Sequence, residues 1–139
     1  GDGSMAEKTA FELVSPERLL ASLDAEMVVV PGADGNFGAL KGHAPLISTL
    51  RPGVIDVYET RPTVSRRIFV GGGFVEVTPD RCTVLAKEAI PVEELDRAAV
   101  EQEVKDCSED LADAKTDHER AAAAQALAVA RAKLEALRG

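Results

Sequence analysis

Pro91 divides the chain into two chemistries. All seven prolines lie between Pro16 and Pro91, no glycine other than the terminal Gly139 follows Gly73, and every aromatic residue (Phe11, Phe37, Tyr58, Phe69, Phe74) precedes residue 75. Thirteen alanines crowd positions 98–136. Turn-formers and β-formers therefore occupy one half and helix-formers the other, because proline and glycine interrupt regular structure while alanine loses the least entropy in a helix. The switch predicts a β domain over residues 5–90 and a helical domain over 91–139. Residues 1–4, ahead of Met5, read as a cloning scar. At 139 residues the protein has room for one core and an appendage, not for two full-sized domains.

Before Pro91 the pattern is short strands broken by turns. Phe11–Val14, Ala25–Val30, Leu46–Leu50, Val54–Tyr58, Arg67–Val70, Phe74–Val77 and Cys82–Ala86 are rich in β-branched and aromatic residues. Pro31-Gly32 is expected to stop the second, Arg51-Pro52-Gly53 to turn the chain, and Thr78–Arg81 to close a hairpin. Strands at this spacing predict an antiparallel β-sandwich or flattened barrel of about eight to ten strands. Gly71-Gly72-Gly73 precedes a strand rather than a helix, so it marks a close backbone approach and not a pyrophosphate cradle.

After Pro91, Val100, Val104, Cys107, Leu111 and Ala114 recur in steps of four and three, which puts them on one helical face. Ala123, Leu127, Ala130, Leu134 and Leu137 do the same. Thr116 and Glu119 between them have capping-box spacing. Two facing stripes joined by a short connection predict an antiparallel two-helix hairpin. Alanine and valine bury little area, and at about 25 cal/mol per Å² such stripes hold only weakly, the signature of a movable arm.

Several chemistries are excluded by their parts. The formal charge of −8 offers no basic stripe for nucleic acid and no attraction to anionic lipid. No run approaches the roughly 18 apolar residues of a membrane span, and residues 5–13 lack a signal or transit pattern. Cys82 and Cys107 each sit in an apolar pattern and read as buried free thiols. Gly38 through Lys41 fails the phosphate-binding loop, because no Ser or Thr follows the lysine. Two histidines and two separated cysteines are too few for the usual metal sites, and His43 has no nucleophile signalled beside it. The sequence predicts no catalytic residue, no metal and no cofactor. The stretch Asp34–Pro45, with glycines 35, 38 and 42 and with His43 and Pro45, is either a shaped contact surface or a set of internal turns.

The residues themselves resemble a known family. Phe11–Arg18, Val30–Ile47 with its Gly42-His43-Ala44-Pro45, Leu50–Gly53, Ile68–Val77 and Thr83–Ala86 are similar to the epsilon subunits of rotary F-type ATP synthases of bacterial type. The likeness runs in order over residues 10–138. It implies a β-sandwich followed by a helical hairpin, in a non-catalytic rotor subunit of the central stalk. The implied partners are the gamma subunit, the c-ring of the membrane sector and, through the C-terminal helices, the alpha/beta catalytic hexamer, whose ATP hydrolysis the hairpin would inhibit. The implied location is peripheral, on the cytoplasmic face of the bacterial inner membrane.

Resemblance further places Gly35, Asn36, Gly42, His43, Ala44 and Pro45 against the polar loops of the c-ring. Asn36 stands where family members often carry an acidic residue. Some members also bind ATP on the hairpin, and that reading, in which nucleotide sets the hairpin position, is the alternative. Leu95 and Asp96 match their motif, but Ala99 stands where an arginine belongs, Val129 replaces another, and Lys133 keeps only a positive charge. Arg97 is two positions away, about 200° around a helix. What remains is a degenerate site of Leu95, Asp96 and Lys133, with ATP sensing weak or lost.

Overall fold

The computed structural model describes residues 7–139; the expected scar at residues 1–4 lies outside them. The described residues divide into two compact units, one ending at Pro91 and the other Val92–Gly139.

The first unit holds ten strands: β1 Thr9–Val14, β2 Leu19–Ala25, β3 Met27–Gly32, β4 Gly35–Ala39, β5 Leu46–Leu50, β6 Gly53–Tyr58, β7 Arg66–Val70, β8 Gly73–Val77, β9 Arg81–Ala86 and β10 Ala89–Pro91. Their hydrogen-bonded order is β10-β7-β6-β3-β5-β8-β9-β1-β2, with β4 also on β3. β3 and β5 share the single pair Gly32 with Leu50, so the ladder is nearly broken there and the sheet folds into two leaves. Alternation along the strands fills the space between them: Phe11, Leu13, Val28, Val30, Ile55, Val57, Val75, Val77, Cys82 and Val84 are all buried. This is the expected β-sandwich. One pairing departs from antiparallel, because β1 runs parallel to β9, Phe11 opposite Cys82. β1 enters the sheet between β9 and β2 instead of completing a hairpin with its sequence neighbour on both sides.

Three strands escape the sequence reading. β2 has no β-branched or aromatic residue and carries Ser22 and Asp24, β10 has three residues, and β4 is the glycine-containing run expected to be loop. Pro31 does not stop β3, which continues to Gly32. Only its carbonyl is required there, and it accepts from the Arg51 amide at 3.0 Å. Gly73, φ +127°, has no room for a side chain: a Cβ would lie 2.1 Å from the Leu85 carbonyl oxygen. The triple glycine is thus a close approach of backbones, as its position before a strand predicts. Thr78–Arg81 closes its hairpin through reciprocal backbone bonds.

The second unit opens with a 3₁₀ turn, Val92–Glu94, and continues as α1 Arg97–Asp113 and α2 Asp117–Ala136. Asp96 caps α1 by accepting from the Ala99 amide at 3.0 Å. Thr116 caps α2 with the full capping box: it accepts from the Glu119 amide, and the Glu119 carboxylate takes the amides of Thr116 and Lys115. Both stripes turn inward, with Val100, Leu127 and Ala130 buried and most of the others half-buried. Arg97, opening α1, donates to the carbonyl of Leu137, the cap of α2, so the helices run antiparallel. Of the two cysteines, both free, Cys82 is fully buried while Cys107 is only half-buried, because its helical face is shared with charged neighbours.

Candidate functional site

Gly35 and Asn36 are the first residues of β4, on the tight β3–β4 turn. Gly35 has φ +143° and open space around its α-carbon, so glycine is set here by backbone conformation and not by crowding. Arg51, just past β5, reaches across the turn. Its Nη1 donates to the Gly32 carbonyl and its Nη2 to Oδ1 of Asn36. Asn36 is exposed and thereby oriented.

Gly42, His43, Ala44 and Pro45 follow the other end of β4. Gly42, φ +86°, donates its amide to the Pro79 carbonyl at 2.7 Å, and the His43 amide bonds the Leu40 carbonyl. Lys41 adds an ion pair to Asp80 at 3.0 Å, and that carboxylate raises the lysine pKa. The loop is therefore latched to the β8–β9 turn. The His43 Nδ1 lies 2.6 Å from the Ala44 carbonyl; a carbonyl only accepts, so this nitrogen carries the proton. The half-buried ring sits 6.1 Å from that of Phe37. The six residues named from the sequence thus form two clusters at the two ends of β4, with Phe37 between them.

A second surface was not read from the sequence. On the face of the sheet opposite the core, neighbouring strands align Thr49, Phe74, Leu85, Val14 and Leu19 in one cross-strand row. Leu19, Phe74 and Leu85 are 57%, 53% and 54% exposed, and Ile47, two residues before Thr49 on the same face, is 72% exposed. Large apolar groups gathered on one solvent face mark an interaction site. The legible signal was Phe74-Val75-Glu76-Val77: alternation puts Phe74 on the side of Glu76, the polar side, where an aromatic has no core to fill.

On the hairpin, the Asp96 carboxylate is taken by its capping bond. Lys133 is buried, with Nζ 3.2 Å from both oxygens of Glu103. Leu95 is half-buried beside the 3₁₀ turn. The charged groups of the degenerate nucleotide motif therefore already have protein partners.

Residues 8–92 match the sequence model described as ATP synthase, Delta/Epsilon chain, beta-sandwich domain. Residues 96–139 match the model for the C-terminal domain of the ATP synthase epsilon chain. The protein belongs to the ATP synthase epsilon-chain family. It is 58% identical to the ATP synthase epsilon chain of Rhodospirillum centenum, over 94% of its own length and 92% of that relative. It is 57% identical to that of Rhodospirillum rubrum, over 97% and 100%. Among solved structures, a subunit of the Euglena gracilis mitochondrial ATP synthase (OSCP/F1/c-ring, rotational state 1) superimposes with a TM-score of 0.81 at 21% identity, covering 100% of this protein and 86% of that subunit. A subunit of the Tetrahymena thermophila mitochondrial ATP synthase central stalk and c-ring gives 0.71 at 18%, covering 96% and 99%. At such identities these two show a shared fold. An epsilon-family protein is one component of a larger enzyme complex, and among the described residues no helix is long and apolar enough to cross a membrane.

Proposed function

We propose that the protein is a non-catalytic rotor subunit of the central stalk, tying a gamma subunit to the c-ring on the cytoplasmic face of the bacterial inner membrane. The observation that carries this reading is the exposed row of Leu19, Leu85 and Phe74 with Ile47 beside it, in a member of this family. That row is the gamma-docking face. The turns at Gly35-Asn36 and Gly42–Pro45, built from bonded backbone and exposed small residues, meet the polar loops of the c-ring. Backbone bonds hold both turns in a fixed shape, so that face is formed before a partner docks.

The hairpin, in this reading, regulates ATP hydrolysis through the alpha/beta hexamer and does not build the rotor. Alanine, valine and cysteine fill six of the ten stripe positions, so limited apolar area ties the hairpin in one position, and a partner's preference for another position shifts the population.

The test is co-purification with gamma. Phe74→Thr with Leu85→Thr should weaken it strongly while changing the melting temperature of the free subunit little, since both side chains are about half exposed on strands that threonine suits. Undiminished co-purification would overturn the assignment. A variant ending at Pro91 should still assemble, with ATP synthesis largely kept and hydrolysis raised or unchanged; failure to assemble would make the hairpin structural.

A further inference from the structure

Arg61, Arg66, Arg67 and Arg81 of the β unit each face a carboxylate of that unit, Glu26, Glu59, Asp56 and Glu12 respectively. Arg51 does not. Among the described residues its guanidinium makes no ion pair, and both of its side-chain hydrogen bonds go to neutral acceptors, the Gly32 carbonyl and Asn36 Oδ1. Asp34, exposed in the same turn, is not one of the two acceptors of its guanidinium. Among the described residues Arg18 also lacks an ion pair, but no side-chain bond holds its guanidinium, whereas two fix that of Arg51.

We propose that Arg51 is the electrostatic anchor of the β3–β4 turn and binds a carboxylate on the protein surface that meets Gly35 and Asn36. A guanidinium presents N–H pairs matched to a carboxylate. Its two bonds to Gly32 and Asn36 order it in advance, so little side-chain entropy is lost when a partner docks. Neutral acceptors orient the charge without cancelling it. The protein as a whole carries −8 and repels an acidic surface, so one fixed cation at the turn sets where such a surface can settle. This inference rests on the reading of that turn as a docking face.

The test measures association of the full-length protein, bound to gamma, with detergent-solubilised c-ring, at low salt and at about 0.5 M salt, where the screening length is only a few ångström. Arg51→Gln should weaken association on the order of tenfold at low salt, with the difference shrinking at high salt. Asn36→Asp keeps the shape and the arginine but supplies an internal carboxylate; it should weaken association comparably at an unchanged melting temperature. His43→Ala serves as the control at the other end of β4. If His43→Ala weakens association and both other variants behave as the unaltered protein, the anchor is wrong and the docking face stands. If none of the three has an effect, the docking face itself is wrong. Tighter association of Asn36→Asp would mean that the partner presents a cation, which overturns the proposal. So would a salt-independent loss confined to Arg51→Gln with a lowered melting temperature, since the arginine would then only brace the turn.

Discussion

Lys133, in the last turn of α2, holds its ammonium 3.2 Å from both carboxylate oxygens of Glu103 in α1. The lysine side chain is 7% exposed and the glutamate 38%, so one partner has given up its water and the other has not. Such a pair does little for net stability while intact, yet removing the carboxylate takes a charged partner from a buried ammonium.

Glu103→Gln should therefore destabilise the hairpin by about 1–2 kcal/mol, below the cost for a fully buried pair because Glu103 keeps solvent. Lys133→Met should cost less than that, since it leaves the half-exposed carboxylate to water. Hydrogen exchange of the α1 and α2 amides in the full-length protein reads both. Equal protection in the two variants would mean that the buried ammonium does not depend on the Glu103 carboxylate.

Gly73→Ala should be among the most damaging substitutions in the β unit. Its Cβ meets the Leu85 carbonyl oxygen at 2.1 Å and the Ala86 Cα at 2.9 Å, and its φ of +127° is strained for any side chain. A loss of about 3 kcal/mol or more is expected, seen as a lower urea midpoint. Gly42→Ala, with a positive φ but open space, should cost about 1 kcal/mol. Similar costs at the two sites would refute crowding as the reason for Gly73.

Burial pushes the Cys82 thiol up to about 12 from an ordinary value near 9. A raised acid pKa means that the folded state keeps a proton which the unfolded state releases. The contribution is complete below pH 9 and is lost as pH rises from about 9 to 12, with a slope of up to about 1.4 kcal/mol per unit. Urea midpoints of the unaltered protein and of Cys82→Ala should converge over that range. Parallel curves would show that the thiol does not couple to folding.

His43→Ala removes a half-buried ring that touches Phe37 and leaves the backbone bonds of the loop in place. Its stability cost should be about 0.5–1 kcal/mol, with weaker association to the membrane sector and poorer coupling of hydrolysis to proton pumping. A strongly lowered melting temperature with coupling preserved would make His43 a core residue and move the docking face elsewhere.

The legible parts of this protein are local. Alternation along Phe11–Val14 and Phe74–Val77, the capping pair of Thr116 and Glu119, and the stepped stripes of the hairpin follow from periodicity and short-range hydrogen bonding, which neighbours in sequence settle among themselves. The two helices, most of the strands and the sandwich class were readable for that reason. Gly73 was readable as a close approach, though not what approached it.

The rest depended on residues distant in sequence. β4 is a strand only because β3 offers it a ladder, and its glycines gave no propensity of their own. β1 pairs with β9 across about seventy residues, a partner no local pattern names. Phe74, Leu85, Val14 and Leu19 come from four strands, so their row exists only once register is set. Arg51 and Asn36 meet because the sheet folds at Gly32 and Leu50, and Lys133 finds Glu103 only when the hairpin closes. Periodicity determined which residues turn inward or outward; tertiary closure decided which of the outward ones lie together, because that depends on strand order and register, and these are set by the energy of the whole core.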